Sequence, residues 1–214
     1  MAAGKTIFLS HFINDQTPLY GGGKGLIKFE KISSISQGNT ANSIYFRMPN
    51  HSGTHIDFPL HFSNDAKSIN DYPPEFWIFR NVGFINSSIC SVENLFSELN
   101  KNIEFLIIKT GFGKYRGKKK YWSEQPIIPS ALATSIKRNF PKIRAIGFDM
   151  ISLTSKLDRE EGRKAHEEFL LKENILVVED MDLCKINMPP LDLYVFPLLL
   201  EKADGSPCTV IANF

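Results

Sequence analysis

Little in this chain of 214 residues points to a special environment. Cysteine is scarce: Cys90, Cys184 and Cys208 are odd in number and widely spaced, so no disulfide framework is implied. Small buried or half-buried positions in a reducing cytosol suit all three. Neither sign of charge dominates, and a formal net charge of +2 gives no electrostatic reason to expect a nucleic-acid or acidic-membrane partner. Long hydrophobic runs are missing too. The longest, residues 193–200, is far too short to span a bilayer and contains Pro197. The first ten residues lack the apolar core of a signal peptide. Repeats, low-complexity tracts and an interdomain linker are not evident. Covalent catalysis is disfavoured, because no Gly-x-Ser-x-Gly elbow exists and no cysteine stands in a nucleophile context. With 43% hydrophobic and 22% charged residues, the composition is that of one well-buried, soluble, cytoplasmic domain.

The element pattern is alternating. Short strands are expected at residues 7–9, 26–29, 43–48 and 82–85. A helix capped by Ser91 is expected to run to Lys101, with Val92, Leu95, Phe96 and Leu99 on one face. Three apolar strands then end in polar residues: 103–108 before Thr110, 144–148 before Asp149, and 175–178 before Glu179. Helices at 130–140 and 163–172 precede the last two, the layout of an α/β protein with an at least partly parallel sheet. Ligands of such sheets sit beyond the carboxyl ends of the strands. Gly21-Gly22-Gly23 lacks the Gly-Lys-Ser/Thr ending of a phosphate loop and reads as a flexible turn.

What the chain does have is a concentration of histidine. Three of its five histidines fall within eleven residues, His51-Ser-Gly-Thr-His55-Ile-Asp57-Phe-Pro59-Leu-His61. Composition alone would place about a quarter of a histidine in such a window. In a straight strand the Cα atoms of His51 and His55 would lie about 13 Å apart, too far to share a zinc ion with bonds of about 2.0–2.1 Å. The chain is therefore expected to bend at Gly53, while His55 and Asp57 share one side of an extended piece. Pro59 is expected to carry His61 away from the first three. Imidazole and carboxylate without cysteine suit zinc, manganese or ferrous iron, and Asp57 is a candidate to bridge two ions. His166 shares a helix face with Phe169 and Leu170 and so points inward. Glu179 reads equally as a ligand or as a strand-end carboxylate facing water, and Asp149 equally well as the cap of a turn. His11 reads as an ordinary surface or hydrogen-bonded histidine.

The pattern His51-x-Gly53-Thr54-His55-x-Asp57-x-Pro59-x-His61-Phe62 resembles the signature of the metal-dependent cyclase-like hydrolases, which include bacterial kynurenine formamidases and isatin hydrolases. Weaker matches follow in order: Leu9-Ser10-His11, Thr17-Pro18-x-Tyr20-x-Gly22, Lys109-Thr110-Gly111-Phe112, Gly147-Phe148-Asp149-x-x-Ser152, Ala165-His166, Val178-Glu179-Asp180 and Asp204-Gly205-Ser206-Pro207. The resemblance implies one swivelling β/β/α domain over residues 1–214 with a mixed sheet, assembled as a homodimer or a dimer of dimers. It makes His51, His55, Asp57, His166 and Glu179 ligands of one or two divalent ions, Zn2+ or Mn2+. It makes His61 the general acid and base, and places Tyr20 against a small-molecule substrate. Phe112 departs from the usual tryptophan, Cys208-Thr209 stands where arginine is common, and the His166-to-Glu179 interval is about one residue longer than in many formamidases.

The implied chemistry is hydrolysis of a formamide or cyclic amide by metal-activated water, with His61 moving the proton. A rival reading takes the basic and aromatic residues 114–122 as a nucleic-acid patch; a solvated loop with aromatics packed at its rim fits the low net charge better. A metal-binding relative without catalysis is the third reading, and the intact His61 speaks against it.

Overall fold

The computed structural model describes residues 4–214. Eleven strands occur among these residues: β1 (Thr6–Phe8), β2 (Lys28–Ser33), β3 (Ser43–Arg47), β4 (His55–Asp57), β5 (Ile78–Phe79), β6 (Val82–Asn86), β7 (Phe105–Lys109), β8 (Ala145–Phe148), β9 (Leu176–Glu179), β10 (Asp192–Pro197) and β11 (Gly205–Asn213). Helices α1 (Lys119–Ser123), α2 (Ala131–Asn139) and α3 (Arg159–His166) accompany them. Nine strands form one mixed sheet in the order β5-β10-β11-β4-β9-β8-β7-β6, with β1 also on β11. Strands β6 to β9 run parallel, and the remaining pairs of this sheet are antiparallel. The parallel strands β7, β8 and β9 are buried almost throughout, as expected of strands covered on both faces.

The two ends of this sheet, β5 and β6, are consecutive in the chain, so the sheet is nearly closed on itself. Glu104 and Arg144 fasten the closure. The Glu104 carboxylate accepts from the backbone N–H groups of Arg80 and Asn81 at 2.9 and 3.2 Å. Arg144 donates to the carbonyls of Phe76 and Ile78 at 2.7 and 3.0 Å, and its guanidinium lies over the Phe76 and Phe79 rings. One apolar cluster fills the interior, with Leu132, Ala133 and Ile136 of α2 packed onto it. No helix among the described residues is long and apolar enough to cross a membrane.

Several local expectations are corrected. In place of the α-helix expected over residues 91–101, two 3-10 segments form, Ile89–Ser91 and Glu93–Glu98. No side chain caps the start, and Asn94 and Ser97 are poor helix formers. Val92 and Phe96 are nevertheless buried, so the expected face is the one that packs. The helix expected from residue 163 begins at Arg159, because Asp158 accepts a hydrogen bond from the Glu161 N–H and caps it. After His166 the chain continues as a π-helical turn, Glu167–Lys172. Such a turn accommodates one extra residue, which suits the lengthened interval to Glu179. Cys90 and Cys184 are exposed, and only Cys208 is buried. Cys90 sits in the 3-10 segment Ile89–Ser91 and Cys184 in the loop between β9 and β10, both outside the sheet.

Candidate metal centre

The register of three strands assembles the centre. On β4, His55 and Asp57 point to the same side, as their spacing of two dictates. Strand β9 sets Glu179 opposite His55, while β11 sets Gly205 opposite Asp57. Gly53 has φ +64°, the left-handed conformation that turns His51 back toward His55, and the two rings stand 5.2 Å apart. Gly205 answers a different need. A Cβ there would lie 2.2 Å from His51 Cε1, so the imidazole rests directly on the backbone of β11.

Hydrogen bonds fix how each imidazole is presented. His55 Nδ1–H donates to the Gly53 carbonyl at 2.8 Å, leaving Nε2 facing Glu179 Oε2 at 3.3 Å and Asp57 Oδ1 at 3.5 Å. His166 Nδ1–H donates to the Gly162 carbonyl at 2.8 Å, one helical turn back. Its Nε2 faces Asp57 Oδ2 and Glu179 Oε1, each at 3.5 Å. Histidine ligands of metals have their second ring nitrogen engaged in this way. Asp57 therefore lies between two groups, one carboxylate oxygen toward His51 and His55 and the other toward His166. Glu179 is anchored by the Leu153 N–H at 2.5 Å and the Ser152 hydroxyl at 3.3 Å. Phe62 stacks on the His166 ring at 4.6 Å.

Three donor sets result: His51–His55–Asp57 and Asp57–His166–Glu179, which share Asp57, and the more exposed His51–His61–Asp204. The spacing about His55 and His166 fits a metal, whereas His51 Nδ1 closes on Asp57 Oδ1 at 2.8 Å as a direct pair. Ligand atoms about 2.0–2.1 Å from a tetrahedral ion lie about 3.3–3.4 Å from one another. A direct ion pair closes to about 2.7–2.9 Å. The contacts of 3.3–3.5 Å made by the Nε2 atoms of His55 and His166 match the first spacing rather than the second.

With protons alone in the centre, charge is balanced by pairing. Burial disfavours the charged form of each imidazole, but hydrogen bonding to Glu179 and the charge of Asp57 lift His55 to about 9. Asp57 and Glu179 likewise lift His166 to about 10. Against the same burial, His166 and His51 hold the Asp57 carboxyl well below its ordinary value, and His166 and His55 lower that of Glu179.

His61 departs from expectation. The 3-10 turn Pro59–His61 folds it back beside His51, with ring centroids 4.1 Å apart, instead of carrying it away. Asp204, which no sequence pattern singles out as functional, joins them. Its Oδ2 accepts from His61 Nδ1 at 2.8 Å and from His51 Nε2 at 3.1 Å, while Asn50 donates to Oδ1 at 2.6 Å. Burial pushes the Asp204 carboxyl up, but the hydrogen bonds from His61 and His51 outweigh it and hold the group low. The only sequence signal was Asp204-Gly205 at the head of the final strand, about 150 residues from its partners.

A cavity of about 260 Å³ opens onto these groups. Pro18, Tyr20, Phe62, Ile151 and Thr154 are among the residues that line its wall. His11 is outside it and instead donates its backbone N–H to Thr54 Oγ1. Asp149 caps the turn after β7, accepting from the Thr110 N–H and hydroxyl and from the Gly113 N–H. The basic loop is largely structural. Arg116 makes a two-pronged ion pair with buried Asp180, and fully buried Tyr121 donates to the same carboxylate at 2.5 Å. Asp180 has φ +51° and directly follows Glu179, so this clasp braces the end of β9.

The chain is similar to known proteins over most of its length. Residues 7–155 match the Cyclase family model, described as "Putative cyclase". Kynurenine formamidase of Bacillus anthracis is 30% identical over 220 residues, covering 99% of this chain and 98% of that protein. Kynurenine formamidase of Bacillus cytotoxicus is 26% identical over 213 residues, covering 99% and 98%. Among solved structures, isatin hydrolase A from Labrenzia aggregata superposes with a TM-score of 0.82 at 18% identity, covering 98% of this chain and 93% of that one. At that identity the likeness speaks for the fold, the swivelling β/β/α arrangement with a mixed sheet. The family match over most of the chain and the end-to-end relative at 30% identity make this protein a member of the Cyclase family.

Proposed function

We propose that this protein is a metal-dependent hydrolase of a small amide, a formamide or a cyclic amide, acting on C–N bonds other than peptide bonds. The observation that carries the reading is that His61, held by Asp204, lines one cavity together with five converging metal donors. The named relatives, kynurenine formamidases and isatin hydrolases, support the same reaction class.

His51, His55, Asp57, His166 and Glu179 are the residues that would hold one or two divalent ions, Zn2+ or Mn2+. A divalent ion bound there supplies Lewis acidity, polarising a carbonyl oxygen and lowering the pKa of water toward about 7. Asp204 fixes His61 by its Nδ1–H, which leaves Nε2 as the basic atom and stabilises the imidazolium that forms when it takes a proton. His61 then returns that proton to the leaving nitrogen as the C–N bond breaks. The products are a carboxylic acid and an amine, on one molecule when the amide is cyclic. Tyr20 and Phe62 flank the substrate.

Replacing His61 with alanine lowers kcat by about 10²–10⁴-fold and leaves bound metal unchanged. Equal loss of metal and turnover would make His61 a ligand instead. A nucleic-acid role for residues 114–122 is not favoured, because Arg116 and Tyr121 are committed to Asp180. We further propose a cytoplasmic protein of one domain, assembled as a homodimer or a dimer of dimers. The β2–β3 hairpin supports the assembly: it has no buried residue, and Phe29, Ile32, Ile44, Tyr45 and Phe46 are 41–65% exposed. A lone two-stranded ribbon is marginal in water, and a second copy would cover it.

A further inference from the structure

Outside the buried centre, His51, His61 and Asp204 each place one donor atom within 4.8 Å of the other two. Their side chains are 23%, 32% and 37% exposed, so an ion can reach them directly from solvent. Both imidazoles converge on one oxygen: Asp204 Oδ2 accepts from His61 Nδ1 at 2.8 Å and from His51 Nε2 at 3.1 Å. The Asn50 amide holds the other oxygen at 2.6 Å and donates to the Gly205 carbonyl at 3.0 Å. An outer partner of this kind is what orients a ligating carboxylate, and here it aims Oδ2 at the two rings. Among the described residues, the ion-pair partners of Asp204 are these two imidazoles.

Two imidazole nitrogens and one carboxylate oxygen, with a fourth side open to water, are the donors of an open tetrahedral zinc site. They suit Mn2+ poorly, since it favours an octahedral set of oxygens. Ligands of a tetrahedral ion lie about 3.3–3.4 Å apart, so the three groups need to part by only about 0.2–0.6 Å, which their exposure permits. His51 belongs to both sets, but a neutral imidazole has one lone pair. It serves the inner set through Nδ1, which faces Asp57 at 2.8 Å, or the outer set through Nε2. Ions already in the inner centre also repel a further cation, so the outer set fills last.

We infer that His51, His61 and Asp204 form a separate, inhibitory zinc site beside the inner centre. Zinc on His61 Nδ1 takes the lone pair there and leaves the ring proton on Nε2, the atom that must accept a proton from water. Filling the site removes the general base without disturbing His166 or Glu179. That consequence rests on the amidohydrolase reading, whereas the site itself does not.

Metal-stripped protein is titrated calorimetrically with Zn2+ and, separately, with Mn2+, past the ions that fill the inner centre. Zn2+ is expected to show a further, weaker equivalent and Mn2+ none. Asp204→Asn and His61→Ala should each lose that equivalent and keep the tight ones, with metal-free melts as the check on folding. Nitrogen-15 spectra of the imidazoles read the blocked step without any turnover: excess Zn2+ should fix the His61 proton on Nε2. Turnover of the zinc-loaded protein should fall by about 10²–10⁴-fold as the weak equivalent binds, while excess Mn2+ leaves the manganese-loaded protein active. The inference is overturned if the weak equivalent is missing, survives both variants, appears equally with Mn2+, leaves the His61 proton on Nδ1, or binds without loss of turnover. A weak equivalent with the expected tautomer, in a protein that cleaves no amide, sinks the amidohydrolase reading alone.

Discussion

Gly205→Ala is the smallest change that should empty half of the centre. Position 205 does not have positive φ, so alanine is permitted by the backbone and by itself restrains the unfolded chain, worth about 0.4–1 kcal/mol. The added methyl carbon, however, would lie 2.2, 2.7 and 2.8 Å from three atoms of the His51 ring, where carbon contacts normally stand at about 3.5–4.0 Å. The ring must retreat by more than about 1 Å, and metal bonds tolerate deviations of only about 0.2 Å. His51 is partly exposed and can swing outward, giving up its bonds to Asp57 at 2.8 Å and Asp204 at 3.1 Å without unfolding β11. Overpacking costs about 1–3 kcal/mol, so the metal-free melting temperature should fall by only a few degrees. Metal affinity should fall by at least about 10–100-fold, the penalty for disturbing even an outer partner of a ligand. Competition titration against a chromogenic chelator reads the affinity, and a metal-free thermal melt controls for the fold. A Gly205→Ala protein that folds and binds metal like the original would refute the placement of His51.

Metal binding should expel protons. His55 and His166, held up to about 9 and 10, both carry protons at neutral pH when no metal is present. Metal must displace them, so its apparent affinity rises with pH and calorimetry in buffers of different ionisation enthalpy should register about two protons released near pH 7.5. The sign for metal-free stability is the reverse. The raised imidazoles contribute fully below their unfolded value of about 6.5, and that contribution disappears as pH rises through about 9–10. The metal-free melting temperature should therefore drop across that window, and a flat profile would contradict the pairing. Light scattering should give a dimer or tetramer mass, and Phe29→Ser with Phe46→Ser should shift it toward the monomer. A monomeric original protein would refute the assembly.

The part of the centre legible in the sequence is the part built locally. His51, His55 and Asp57 lie within seven residues, and strand periodicity with one glycine bend determines how they meet. His166 was legible because helical spacing ties it to Phe169 and Leu170, both fully buried. Glu179 stayed open, since only the pairing of β9 with β4 sets it opposite His55. Asp204 was missed because its role depends on the same kind of register, between β4 and β11. The misplacement of His61 has a similar origin: Pro59 does redirect the chain, but tertiary contact with Asp204 decides where the turn delivers the ring. Alternation of apolar strands and helices foretold the parallel half of the sheet. The antiparallel half, which closes it, rests on the Glu104–Arg144 fastening, whose two residues are not paired by any local pattern.

If these five side chains form one metal centre that hydrolyses amides, turnover must follow metal occupancy. Metal-stripped protein is titrated with Zn2+ or Mn2+ while turnover of N-formylkynurenine, isatin and other cyclic amides is followed, alongside an Asp57→Asn variant. Turnover of at least one amide is expected to rise with bound metal and saturate at one or two ions per chain, and Asp57→Asn is expected neither to bind metal tightly nor to turn over. Turnover that is indifferent to metal, or an Asp57→Asn protein that still fills with metal, would contradict that expectation.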